Sequence, residues 1–486
     1  MERIPGTEKD DVAGNRAALL AVISGKIVVG LQLILTAAAI PVMLQTFDLD
    51  LRGFAWFVLA YLVSRYALMI SIGYLGDRIG RKKVYVWGLA TFMTGLAIAA
   101  FSPNISALYA AGCLMGFGAG TIRAIFPALI VANSPPEKIG KEFGAANMLV
   151  AITMLAGPFL GGLIVVYVGW RYVFVLSFFL CVASILACVR YVTESRGGKK
   201  RPADGKGILL MFATLVPMAV GLQLTSHSGW ASPAVLMSIT LALGAGWLFQ
   251  RHSRAIAFPV IDLSLLKKPR FGLANATYLF QSAGVEVFFL VAPLFLQGYM
   301  GLLPDRAGLL LCVAGASCML VTYLSGLAVD RLGALPMEAL GLVLIAVAFG
   351  LVAFVQANIS LPLVLTAMVM IGLGMGFFNP ANIYEVMKCS PETDLGLAGG
   401  INETASELGR ILVIPLTEIA MGEWAKTKLV TGGIQMTANP MLLEAVDNAY
   451  LVALGATVLG LVICALRIRY VRRDTAVLAG GPVPPV

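Results

Sequence analysis

Apolar runs of about twenty residues recur from one end of the chain to the other, broken by short polar, glycine- or proline-bearing stretches. A helix rising ~1.5 Å per residue needs about 20 residues to cross a ~30 Å hydrocarbon core, so each run reads as a membrane span. The runs fall near residues 18–44, 54–75, 84–101, 107–132, 143–167, 170–192, 206–225, 231–250, 272–297, 307–328, 336–356, 361–384, 398–420 and 449–466. The pattern therefore predicts an all-α polytopic membrane protein of fourteen spans. The first run follows a polar segment of mixed charge and is far longer than a signal-peptide core, which makes it a retained span.

Composition agrees with that reading: 59% of residues are hydrophobic and 13% charged among 486, too few polar side chains to clothe a soluble surface. The net charge of +9 is a matter of placement. Lys and Arg gather in the N-terminus, alternate loops and the C-terminus, while the opposite loops hold Arg52, Arg171, Arg306, Lys426 and Lys428. Basic residues stay on the cytoplasmic side, so both termini are expected there, in a plasma membrane of the bacterial inner type. A nucleic-acid partner is not expected. The seven cysteines form no CxxC pair and only His227 and His252 are present, so neither a metal site, a cofactor nor an enzyme is expected.

The chain also repeats itself. GYLGDRIG from Gly73 returns as GLAVDRLG from Gly326, 253 residues on, and the comb Gly116/Gly118/Gly120 returns as Gly372/Gly374/Gly376, 256 residues on. Parallel six-helix halves explain the shared offset. The expected organisation is a cytoplasmic segment 1–17, a first half 18–195, an inserted two-helix pair with basic flanks 196–270, a second half 271–470 and a cytoplasmic tail 471–486. The glycine combs sit inside apolar helices with no strand before them, so they serve packing and not phosphate binding.

In the loop after the second span, GYLGDRIGRKK, Asp77 can take hydrogen bonds from a neighbouring helix N-terminus or charge from Arg81, and Gly73, Gly76 and Gly80 permit close helix contact. With Arg78 these residues resemble the signature loop of the major facilitator superfamily, where such a contact gates one half against the other. The fifth span carries LAGPFLGG, in which Gly157, Pro158, Gly161 and Gly162 let a helix bend and pack closely. On chemistry alone it is a packing element. Together with GWRYVF from Gly169, Trp56, Tyr61 and PLFLQGYMG from Pro293, it resembles the fourteen-span drug:proton antiporter branch, where this string marks exporters.

The thirteenth span is chemically unusual. Glu403, Glu407, Arg410 and Glu418 fall within about 80° of one helix face. An ionised group at mid-bilayer costs about 2.5–3.5 kcal/mol on insertion scales, so such a stripe needs a partner helix or a watery cavity. Its ETxxELG string resembles exporters of cationic biocides. Other intramembrane charges are Lys26, Arg65, Arg123 and Glu286. Arg65 and Glu407 come out at matching depths and are a candidate ion pair between halves, and Glu286 lines the cavity by the same resemblance. A purely structural ion-pair network is the alternative. Two positions depart from the family: Gln32 stands where an aspartate is usual and Gly112 where an arginine is usual, so coupling has to use other carboxylates or is absent.

The expected function is secondary active export of amphipathic or cationic drugs, with protons entering through Glu286, Glu403 or Glu407 and the bilayer, a small-molecule substrate and protons as partners. The alternative is transport of an organic anion or metabolite on Lys26, Arg65 and Arg123. A non-transporting membrane protein is a third reading.

Overall fold

The computed structural model describes residues 7–47, 51–66, 69–196, 204–256, 267–302, 304–354, 361–421 and 440–478, which are almost wholly helical. The helices are α1 (Thr7–Thr46), α2 (Leu51–Tyr66), α3 (Met69–Ile79), α4 (Arg81–Ala100), α5 (Ile105–Ala132), α6 (Ile139–Tyr167), α7 (Arg171–Tyr191), α8 (Gly205–Ser228), α9 (Pro233–Ala255), α10 (Pro269–Leu294), α11 (Pro304–Leu332), α12 (Ala334–Phe354), α13 (Leu361–Lys388), α14 (Leu395–Met421) and α15 (Pro440–Leu478). Among the described residues, eleven helices are long and apolar enough to cross a membrane. The expected fourteen spans would also draw on α2 with α3, on α6 and on α14.

Several boundaries differ from the hydropathy pattern. Residues 7–17 and 471–478 continue α1 and α15, and 440–448 opens α15, because a helix already running satisfies its own backbone and needs no apolar side chains to extend. Asp77 and Arg78 lie in the last turn of α3 and not in a loop. Lys199 to Arg201, Lys426 and Lys428 fall outside the described residues.

Two hydrophobic cores organise the molecule, a larger one centred on α1–α7 and a second within α10–α15. Large apolar side chains point outward, as a lipid-facing surface requires: Trp87, Phe179 and Leu320 are all more than half exposed. The glycine combs do equivalent work in each bundle. Gly116 and Gly120 bring α5 onto the backbone of α2 at Tyr61 and Arg65, and Gly118 brings it onto α4. Gly372 and Gly376 bring α13 onto α11, and Gly374 brings it onto α12. Lipid tails are as apolar as leucine, so close backbone packing of this kind replaces the hydrophobic drive.

The bundles meet at one end through two matching joints. Asp77 at the end of α3 accepts the backbone N–H groups of Gly396 and Leu397, each at 2.9 Å, at the start of α14. Asp330 near the end of α11 accepts those of Gly140 and Lys141, again at 2.9 Å, at the start of α6. Each receiving helix is preceded by a 3₁₀ turn, Pro136–Lys138 or Glu392–Asp394. A carboxylate here satisfies orphan amides and the positive helix end together. Arg81 ties the first joint down, giving Nε to Asp77 at 2.8 Å and Nη2 to the carbonyl of Glu392 at 2.6 Å. α8 and α9 pack on each other, and α8 rests on α2 of the first bundle and α14 of the second. α9 turns Leu236, Met237, Leu241, Leu243 and Trp247 outward, so the pair rides on the periphery. His252 Nε2 lies 2.7 Å from Asp204 Oδ1, holding the base of α9 to the cap of α8.

At the first joint a methyl group on Gly73 would run into the carbonyl of Gly396, whereas one on Gly315 would meet nothing within 4 Å. Gly73→Ala should therefore lower the thermal midpoint of the purified protein by the equivalent of about 1–3 kcal/mol, as overpacking does elsewhere. Gly315→Ala should leave it unchanged or raise it. Equal midpoints for the two variants would contradict this packing.

Candidate functional site

The charged residues singled out in the sequence converge between the bundles. On α14 the spacing 403, 407, 410 puts Glu403, Glu407 and Arg410 on one face. That face meets Arg65, one residue from the end of α2, Arg123 of α5 and Glu286 of α10. Small residues permit the approach, since Gly120 lies against the backbone of Arg65 and Gly409 against that of Leu279 on α10.

Glu407 is the hub. Its Oε1 lies 3.2 Å from Arg65 Nη2, 3.3 Å from Arg123 Nη2 and 3.7 Å from Arg410 Nη1. The side chain is 1% exposed, and among the described residues no hydrogen-bond donor reaches its second oxygen, Oε2. Arg65 is held as well by Tyr66, whose hydroxyl accepts from Nη2 at 2.6 Å, and its guanidinium lies over the rings of Tyr61 and Tyr66. Glu403 belongs to Arg123, which gives both Nε (3.0 Å) and Nη2 (2.6 Å) to Oε2. Glu286 is held far more loosely: Arg410 Nε stands 3.9 Å away, and both side chains are 33% exposed.

The carboxylate surplus that α14 carries by itself is thus met by arginines of the first bundle. Glu418 lies on α14, but its side chain is outside the described set. Lys26 sits apart from the ion pairs: its ammonium lies 4.2 Å from the centre of the Phe126 ring, and no described carboxylate comes within salt-bridge distance. Gln32 donates to Thr36 at 2.8 Å, and Gly112 abuts Phe57, so neither departure from the family pattern carries charge into the cluster. Gly76 packs on Ile125, Arg78 is half-buried, and Gly80 adopts φ 129°. In α6, Gly157 lies against Ile34 of α1 and Gly161 is buried; the side-chain surroundings of Pro158 and Gly162 are outside the described set.

Two polar features escaped the sequence reading. Glu338 of α12 pairs with Arg467 of α15, both fully buried. Arg467 falls one residue beyond the predicted last span, so its charge reads as part of the tail; the lone glutamate in an apolar run was the available signal. Asn402 of α14 also donates to Asn275 of α10 (3.2 Å) and Asn382 of α13 (3.1 Å), while Asn382 donates to the carbonyl of Ala274. Neutral amides leave no trace in a search for charge.

Residues 22–414 match the Major Facilitator Superfamily, and so, in a second match, do residues 271–478. The chain belongs to the major facilitator superfamily. It is 27% identical over 383 residues to the multidrug efflux pump LfrA of Mycolicibacterium smegmatis, covering 77% of this chain and 75% of that one. It is 26% identical to the uncharacterized transporter YebQ of Escherichia coli, covering 79% and 85%, and 25% identical to the riboflavin transporter RibZ of Clostridioides difficile, covering 76% and 80%. Among solved structures, the human organic anion transporter MFSD10 superposes with a TM-score of 0.66 at 15% identity, covering 93% of this chain and 99% of that one. The proton:xylose symporter XylE gives 0.65 at 15%, covering 93% and 95%. These two likenesses establish the fold alone. This facilitator is a multi-pass membrane transporter whose bundles are bridged by buried charge.

Removing one member of a buried ion pair typically costs about 3–5 kcal/mol, because the partner is left charged and unsolvated. Glu407→Gln should then destabilise the protein by that order, and far more than Glu286→Gln, whose partner Arg410 is a third exposed. Adding Arg65→Gln to Glu407→Gln should restore part of the loss. Thermal denaturation of the four proteins in detergent checks this, and similar midpoints for Glu407→Gln and Glu286→Gln would refute the ranking.

Proposed function

We propose that the chain is a fourteen-span, proton-coupled exporter of amphipathic or cationic compounds that works by alternating access. The supporting observation is the unequal hold on the three carboxylates between the bundles. Glu407 is shared by three arginines and Glu403 is gripped twice by Arg123, whereas Glu286 touches Arg410 at the limit of an ion pair and is partly exposed. Glu286 is the group free to exchange a proton or to meet a cation, and Glu403 and Glu407 act as latches.

The chemistry follows from competition for Arg410. Ionised, Glu286 draws the guanidinium toward α10; protonated, it releases Arg410 to Glu407 and tightens the charge bridge between α14 and the first bundle. A cationic substrate beside Glu286 displaces its proton, which is the exchange an antiporter needs. The joints at Asp77 and Asp330 hold one face closed in this conformation, and opening that face requires both helix starts to leave their carboxylates. That face is cytoplasmic in our reading, with both termini on the same side of a plasma membrane. Segments 18–195 and 271–470 then serve as the moving halves, and 196–270 as an inserted pair at their seam. The similarity to multidrug pumps supports the substrate class.

A second reading has its own observation. The described side chains at the cluster include four cations, with Lys26, against three carboxylates, so an organic anion could complete the balance. The two readings differ in which residue fails.

In proteoliposomes with an imposed pH gradient, wild-type protein should move a cationic dye, and Glu286→Gln should lower gradient-driven transport at least tenfold and flatten its pH dependence. Asp77→Asn should leave the protein folded and slow transport by a similar factor. Wild-type pH dependence in Glu286→Gln would sink the proton-coupled reading, and loss of organic-anion uptake in Lys26→Gln would put the second in its place.

A further inference from the structure

The repeat that relates the two bundles fails at one place, and the failure leaves a cavity. In the first bundle α4 begins after Gly80 (φ 129°), and the chain leaving α7 folds over that helix start. Arg81 N donates to the carbonyl of Ser195 at 2.9 Å and Lys82 N to Glu194 Oε1 at 3.1 Å, while the Glu194 carboxylate lies where a side chain on Gly80 would stand. A carboxylate from the chain itself thus covers the orphan amides of α4.

The same offset of 253 residues carries Gly80 to Gly333, which also has positive φ (85°), and Arg81 and Lys82 to Ala334 and Leu335 at the start of α12. No chain segment covers these amides among the described residues, because α15 does not break as α7 does at Tyr191 but continues as helix to Leu478. In place of Glu194 there is a cavity of about 620 Å³, lined by Gly333 to Pro336 from the turn into α12, by Lys268 and Arg270, and by Tyr384, Lys388 and Tyr470. Among the described lining residues Glu385 is the one acid, against the exposed Lys268 and Lys388, and it accepts from the Cys389 thiol at 3.6 Å.

We propose that this cavity is a binding site for a phosphate group, which takes the place that Glu194 fills in the other bundle. An oxyanion there meets the amides of Ala334 and Leu335, the positive end of α12 and the basic side chains of Lys268 and Lys388. Carboxylate would fit the amides, but the excess of cations over Glu385 favours the greater charge and additional acceptors of phosphate. The cavity lies at the ends of α11 and α13 and the start of α12, against α15 at Tyr470, beside exposed Leu332 and Tyr470, where an apolar surface gives way to basic residues, which is the setting of a phospholipid headgroup. Inorganic phosphate offers the same chemistry from solution. The site is separate from the charge cluster at Glu407, and its test does not depend on the transport reading.

The test is thermal denaturation of purified full-length protein in detergent, titrated with short-chain phosphatidylglycerol, with short-chain phosphatidylcholine and with inorganic phosphate. Phosphatidylglycerol should raise the midpoint in a saturable way, as a ligand of the folded state does, with little effect from phosphatidylcholine. Lys268→Gln/Lys388→Gln changes two exposed side chains and should fold; it should weaken the apparent affinity at least tenfold. Arg251→Gln/Arg254→Gln, on the peripheral α9, should not. If inorganic phosphate reproduces the shift and competes with the lipid, the free ion is the source; if only the lipid acts, the headgroup is. An equal shift in wild type and the Lys268/Lys388 variant, or no shift with either ligand, would overturn the proposal. Should that double variant denature, Lys268→Gln alone is expected to weaken binding measurably, and an unchanged titration for it overturns the proposal equally.

Discussion

The arrangement of this transporter turns on one carboxylate, Glu407, buried between two helical bundles and shared by three arginines from three helices. In a bilayer, an apolar surface gains nothing from meeting another helix in place of lipid, so residues that cannot face lipid dictate which helices come together. α14 cannot be inserted with its glutamates bare, and α2 and α5 cannot be inserted with Arg65 and Arg123 bare. Bringing them together solves both problems and sets the seam between the bundles. The cluster therefore need not contribute net stability over an apolar seam to be decisive; its cost when broken fixes the register.

At the end of that seam the same economy of partners recurs with backbone amides of a helix start as the partners across the seam, Arg81 steadying Asp77 from its own bundle. Asp77 and Asp330 close the joints by meeting groups that a helix start leaves unsatisfied in any case. Such contacts are strong while formed and leave both sides free to be hydrated once opened, which suits a joint that makes and breaks. The buried arginine–glutamate contacts are different, since neither member can be left alone in a dry seam. In the proposed transport cycle a conformational change is then easiest where charge can be exchanged within the cluster, and the loose, partly exposed Glu286–Arg410 contact is the candidate place.

Much of this was legible in the sequence because membranes punish exceptions. The Asp77 and Asp330 strings stood out by repetition, and the offset between them is what leads the sequence to be read as two halves. Arg65 could be matched with Glu407 by depth alone, because both lie in apolar runs with defined ends. Arg123 with Glu403 could not, since several cations were available and only the packing of α5 on α14 chooses between them. Arg467 was hidden by a boundary drawn one residue short, and the asparagines by having no charge. The cavity at α12 was invisible for another reason: it arises from what α15 fails to do, and a helix that simply continues leaves no signal.

In the proposed transport cycle the two bundles are latched by paired charge and capped helix starts, and the latch opens. Spin labels at Glu137 and Arg331, exposed residues flanking the Asp330 joint, would report it by pulsed dipolar spectroscopy in a cysteine-free background. A latch that opens gives a short distance matching this conformation, joined by a longer one whose weight grows when Asp77→Asn and Asp330→Asn are introduced together. A single short distance, the same with and without those substitutions, would contradict it.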